Sequence, residues 1–293
     1  MARRVYMVDV FADRPYTGNP LAVVLSDGPV PDDVMQQIAA EINFSETTFC
    51  APVPEHDGGY HVRIFTPARE IAFAGHPILG TAWIIRRHLA PDSGTVRLNL
   101  AVGQVAVTFE LAGDGKEVVW FLAPATASGP GCDSKRVAAA LRLSPEDVST
   151  DSPVRVISAG TSAMMVPLRS LDALARSRPD PAAFSGLAAD GFPPLVYAFC
   201  TQARDPRNDL SARFYFEAHG VREDPATGNG AAFLGSYLLE HRLLATTDLS
   251  VRIEQGYEIG RPSLIMLKAQ NRNGRGEIRV GGHVVPTLRG ELL

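Results

Sequence analysis

One local pattern occurs twice in this chain, half a chain apart, and it restricts the available folds more than any other feature. Each copy is a strand-like segment, a short polar loop, and a glycine that opens an apolar helix. In the first copy, Tyr60–Phe65 leads to Gly75, after which Ile78, Leu79, Ala82, Trp83 and Ile85 recur at helical spacing. Pro77 falls in the first turn, where its missing N–H costs nothing. In the second copy, Ala212–Phe216 leads to Gly228, and Ala231, Leu234, Tyr237 and Leu238 make the stripe. Arg63-Ile-Phe and Arg213-Phe-Tyr begin the matching strands. Two copies of one α+β unit is the economical reading.

Short β-rich segments dominate the rest: Val5–Phe11, Leu21–Leu25, Thr47–Val53, Val96–Leu100 and Val105–Leu111 in the first half, and Val154–Ile157, Leu195–Cys200, Leu249–Glu254, Leu264–Lys268 and Glu277–Val280 in the second. Gly, Pro, Asn and Asp clusters separate them. Ala123-Pro-Ala-Thr-Ala-Ser-Gly-Pro-Gly has the composition of an interdomain crossing. The expected organisation is a domain over residues 1–122, a second over 123–281, and a tail, 282–293, that packs back on the first. If the halves face each other, both helix N-termini can address one cleft with unpaired N–H groups and partial positive charge. A small carboxylate would be gripped there from two sides.

A net charge of −4 gives no basic footprint for nucleic acid, and no apolar run approaches a membrane span. Met-Ala-Arg-Arg-Val-Tyr-Met-Val-Asp lacks the long uncharged run of a secretory signal, so the expected location is the cytoplasm. Cys50, Cys132 and Cys200 are odd in number and far apart, which argues against a disulfide framework or a zinc ribbon. Cys50 and Cys200 read as small buried hydrophobes.

Nucleotide chemistry does not fit. Gly228-Asn-Gly-Ala-Ala-Phe places Phe233 where a dinucleotide loop needs a small residue, and Asp-Pro-Ala-Thr separates it from the strand. Gly160-Thr-Ser-Ala-Met lacks the second glycine of a nucleophile elbow. His56 and His61 lie in a glycine-rich turn that reads as solvated. What remains are polar residues in costly places. Glu46, between Phe44 and Phe49, reads either as a strand-end carboxylate in water or as a desolvated proton shuttle. His76 opens a helix, where a neutral ring able to donate one hydrogen bond is favoured, or where it simply packs. Asp224 precedes the second helix, either as an acid/base group or as a turn former before proline.

Taken together these residues carry a resemblance. Val8-Asp-Val-Phe, Gly18-Asn-Pro-Leu-Ala-Val-Val, Asn43-Phe-Ser-Glu-Thr-Thr-Phe, Gly75-His-Pro-Ile-Leu-Gly-Thr-Ala, Asp224-Pro-Ala-Thr-Gly and Gln255-Gly with Gly260-Arg-Pro-Ser resemble, in order, the PhzF-like family. Its namesake is the phenazine-biosynthesis isomerase, and its broader relatives are diaminopimelate epimerases. The resemblance implies two pseudo-symmetric diaminopimelate-epimerase-like domains, each a barrel-like mixed sheet around a central helix. It also implies a homodimer without cofactor or metal, and an active site in the cleft between the domains. In the namesake, the matching glutamate moves a proton between carbons of a dihydro-hydroxyanthranilate. Carried over, Glu46, His76 and Asp224 become the catalytic set, with Asn19, Ser45, Gly75, Thr227, Gly228, Asn229 and Gly230 around the substrate.

Two departures qualify this. The epimerases place a catalytic cysteine at each helix start, where this chain has Gly75 and Thr227. Phenazine-type members commonly read Asp-Pro-Ala-Thr-Gly-Ser, and here Asn229 replaces the serine. The expectation is therefore a cofactor-independent isomerase of a small unsaturated carboxylic or amino acid, its exact substrate open. The alternatives are a carboxylate-based amino-acid epimerase and a non-catalytic carboxylate-binding protein of the same fold.

Overall fold

The computed structural model describes residues 3–113, 115–216, 221–244, 246–272 and 275–293. The chain divides into two compact units, Met1–Leu122 with Gly281–Leu293, and Ala123–Val280. None of the described helices is long and apolar enough to cross a membrane.

The first unit opens with the antiparallel pair β1 (Arg3–Val10) and β2 (Asn19–Ser26), in register at Val5↔Val24 and Val8↔Leu21. Helix α1 (Asp32–Ile42) then carries the chain over to β3 (Glu46–Cys50), which runs parallel to β2. Asn43 ends α1 in the left-handed conformation, a common stop for a helix. β4 (Gly59–Phe65) returns antiparallel to β3, and the short β5 (Glu70–Ile71) pairs with it. Helix α2 (Gly75–His88) makes a second crossover, so that β6 (Thr95–Leu100) lies parallel to β4. β7 (Gly103–Leu111) and β8 (Glu117–Leu122) follow as antiparallel neighbours.

The second unit repeats this succession. β9 (Ala127–Gly131), β10 (Arg155–Ala159) and β11 (Thr161–Pro167) are antiparallel, with α3 (Ser134–Ala140) between the first two. Helices α4 (Leu171–Arg176) and α5 (Pro181–Ala189) cross to β12 (Val196–Cys200), parallel to β11. β13 (Leu210–Phe216) returns antiparallel and β14 (Val221–Asp224) pairs with it. Helix α6 (Gly228–His241) crosses to β15 (Asp248–Gln255), parallel to β13, and β16 (Ser263–Arg272) and β17 (Arg275–Gly282) follow. In the first unit the place of β9 is taken by the C-terminal strand, Val284–Leu292, which pairs antiparallel with β1 over its whole length.

Each unit is thus a mixed sheet curled on one buried helix. Eleven consecutive residues of α2, Gly75 to Ile85, are buried, and the helix meets β1, β2, β3, β6, β7 and β8. An α-helix buried on every side has no solvent face, which is why its sequence lacks a polar stripe. α6 has the same character and meets β10, β11 and β16. Glycines let both helices approach the strands: a Cβ on Gly80 would lie 2.5 Å from Leu21 Cδ2, and one on Gly230 2.5 Å from Tyr197 Cδ2. The fold is the expected α+β pair of pseudo-symmetric, epimerase-like domains. Two local expectations change. The strand at Thr47 ends at Cys50 rather than Val53, and the stretch read wholly as a crossing forms β9 from Ala127 onward.

Candidate active site

Glu46 is the first residue of β3 and lies opposite Leu21 of β2. Strand alternation puts Glu46 and Thr48 on one face. That face is turned toward α2, because Thr48 Oγ1 and Thr81 Oγ1 share a buried hydrogen bond of 2.8 Å. One residue into the same helix from Gly75, His76 brings its Nε2 to 3.4 Å from Glu46 Oε2. Glu46 keeps 16% side-chain exposure and His76 5%, so the carboxylate is the member that reaches solvent.

The other ring nitrogen, Nδ1, lies 3.2 Å from Asn19 Nδ2. An amide N–H can only donate, so Nδ1 accepts and the ring proton sits on Nε2, the nitrogen nearer Glu46. Burial pushes His76 down to about 3, against which the Pro20 carbonyl acts in the opposite sense. The positive end of α2 disfavours imidazolium as well. His76 is therefore neutral at physiological pH, with Nε2 beside the Glu46 carboxylate. Ala74, the residue before α2, has no side chain to cap the helix, which leaves its first N–H groups to be met by other partners.

The second unit holds the other expected residues. Asp224, 6% exposed, ends β14 and accepts the Thr227 hydroxyl on Oδ2 at 2.5 Å. Thr227 is the residue before α6, yet its hydroxyl is spent on Asp224 and caps nothing in the helix. Gly228 and Gly230 are buried in the first turn, and Asn229 between them is half-buried.

Beneath this turn lies Gln255, the last residue of β15 and 1% exposed. Its Nε2 donates to the Asp224 carbonyl at 2.9 Å and to Thr227 Oγ1 at 3.0 Å. Its Oε1 accepts from the Thr227 N–H at 3.3 Å and from the Tyr197 hydroxyl at 3.4 Å. Burial, reinforced by the Asp224 charge, pushes the Tyr197 phenol up, so it stays protonated.

The sequence-derived residues thus fall into two clusters. Asn19, Glu46, Gly75 and His76 come together in the first unit, with Ser45 half-buried beside Glu46. Asp224, Thr227, Gly228, Asn229 and Gly230 form the second. Asn19 is fully buried against the His76 ring. Gln255, Tyr197, Thr48 and Thr81 were not singled out by residue. Gln255, Thr48 and Thr81 lie inside the motifs that carry the family resemblance, and Tyr197 inside the strand Leu195–Cys200, with no role given to any of them. Neither helix start carries a cysteine: Cys50 ends β3, Cys200 ends β12, and Cys132 precedes α3. Burial pushes the Cys50 thiol up to about 12, the opposite of an activated nucleophile.

Comparison with known proteins places this arrangement. The sequence profile of the phenazine biosynthesis-like proteins (PhzC-PhzF) matches residues 8–290. The trans-2,3-dihydro-3-hydroxyanthranilate isomerase of Pseudomonas fluorescens is 34% identical over 295 residues, covering 98% of both chains. The crystal structure of a PhzF-family phenazine biosynthesis protein from Bacillus anthracis superposes with a TM-score of 0.90 at 23% identity, over 100% of this chain and 99% of its own. A hydroxyproline epimerase from Agrobacterium vitis has the same fold at lower similarity, with a TM-score of 0.62 and 12% identity over 99% of this chain and 91% of its own. A family profile spanning nearly the whole chain, with an isomerase matched end to end, leaves one assignment: the chain belongs to the phenazine biosynthesis-like family and is an isomerase.

Proposed function

We propose that this isomerase needs no cofactor and moves a proton, and with it a double bond, in a small unsaturated carboxylic or amino acid. One observation carries the reading: a part-exposed carboxylate, Glu46, lies 3.4 Å from a buried histidine held neutral. A carboxylate so placed can take a proton from an activated carbon and return it to another. His76 stays neutral 3.4 Å from Glu46, so no imidazolium beside it competes for the charge of the base. The Asp224–Thr227 turn and the first N–H groups of α6 offer donors and an acceptor suited to a small carboxylate.

The substrate of the Pseudomonas fluorescens relative is the first compound to try. With trans-2,3-dihydro-3-hydroxyanthranilate or related cyclic unsaturated amino acids in deuterated water, the product should carry deuterium at the carbon that receives the proton. Glu46→Gln keeps the shape and removes the base, and turnover should fall on the order of a hundredfold or more. Unchanged turnover in that variant ends the mechanism. Loss of optical rotation with no movement of the double bond would instead identify an epimerase.

A further inference from the structure

The hydrogen bonds around Gln255 have only one consistent direction. The Thr227 backbone N–H can only donate, and it meets Oε1. The Asp224 carbonyl can only accept, and it meets Nε2. Two backbone groups of opposite kind therefore fix which end of the carboxamide is oxygen and which is nitrogen. The second proton of Nε2 goes to Thr227 Oγ1. A hydroxyl that receives a proton there has its own proton to place, and the acceptor at 2.5 Å is Asp224 Oδ2. The chain runs one way, from Tyr197 and the helix start through Gln255 and Thr227 to the carboxylate. All four hydrogen-bonding positions of the buried amide are used.

We propose that Gln255 is a positioning residue that makes Thr227 a permanent donor to Asp224 Oδ2, a hydrogen bond that favours the ionised carboxylate over the protonated one. The proposal rests on Asp224 belonging to the active site, as the proposed function has it. Packing holds the device in place. Gly256, next to Gln255, has φ +79°, and a Cβ there would lie 2.5 Å from the Pro225 carbonyl oxygen and 2.4 Å from that of Arg261. Gly230 rests on the Tyr197 ring in the same way. Among the described residues, the titratable group facing Asp224 from β12 is Tyr197, which is protonated. The neighbouring Glu223 is taken up by Arg213, at 2.6 Å.

The test needs no substrate. The carboxyl carbon of Asp224, labelled with carbon-13 and assigned by its loss in Asp224→Asn, is followed with pH by NMR. Removing a hydrogen bond to the ionised form should raise its midpoint by about one pH unit in Thr227→Val and in Gln255→Met. The double variant should rise no further than the larger single one, because Gln255 acts through the Thr227 hydroxyl. A wild-type titration in Gln255→Met, or full additivity in the double variant, overturns the proposal. If Gln255→Met does not fold, Gln255→Asn is read in its place: it adds no charge, is one methylene shorter and so withdraws the amide from Thr227 Oγ1, and must raise the midpoint. Because turnover is not involved, a failed Glu46→Gln experiment would leave this result standing, and the reverse also holds.

Discussion

Folding strips His76 of water and surrounds its ring with an amide, a carbonyl and one carboxylate. Its folded pKa lies at about 3, below the unfolded value near 6.5. The unfolded chain therefore binds the extra proton first, and the stabilisation is fully present above pH 6.5 and is lost as pH falls toward the folded pKa. Between pH 7 and pH 5, His76 alone should cost the fold about 2 kcal/mol. Chemical denaturation at both pH values should show this loss, and His76→Asn should make the difference smaller. Glu46, His76 and Asp224 stand out in the sequence as polar residues in apolar or helix-opening contexts. Each has a second, structural reading, and the family resemblance is what makes them catalytic candidates. Gln255 does not stand out, since a glutamine at a strand end looks like any polar edge residue. Its role exists only once β15 is laid against the turn before α6.

The two long helices were visible from their glycine starts and apolar stripes, and they form where expected, at Gly75 and Gly228. The shorter helices were not: α3, α4 and α5 run only 7, 6 and 9 residues, too short for a periodic stripe to rise above composition. All three are begun by aspartate or serine side chains that accept from the helix N–H groups, Asp133 for α3, Ser170 for α4 and Asp180 for α5. β9 was hidden in a segment of Ala, Ser, Gly and Pro, and only its pairing with β10 makes it a strand. The connections matter as much as the elements, and Gly256 is the sharpest case. Gly256→Ala asks a side chain to adopt φ +79° with two carbonyl oxygens in its path. We expect a loss of about 3 kcal/mol in urea denaturation. The Asp224 titration should shift as well, because Gln255 moves with the loop.

At the scale of the whole chain, the half-chain repeat proved to be a repeat of pairing: antiparallel, antiparallel, parallel, antiparallel, parallel, antiparallel. Spacing and punctuation revealed that there are two copies. They could not reveal which strand pairs with which, because a strand's direction depends on partners distant in sequence. The first unit borrows its outermost strand from the far end of the chain, Val284–Leu292. Ending the protein after His283 should leave β1 with a bare edge, and size-exclusion chromatography should show that product aggregating while the full chain does not. The same borrowing sets an order of events during synthesis. The second unit, Ala123–Val280, is continuous and has all its strands once Val280 has left the ribosome. The first unit, though made earlier, must wait for Leu292. The strand pair that holds the first-made strand is finished last, so β1 waits as an open edge while the intervening chain, through Val280, is made.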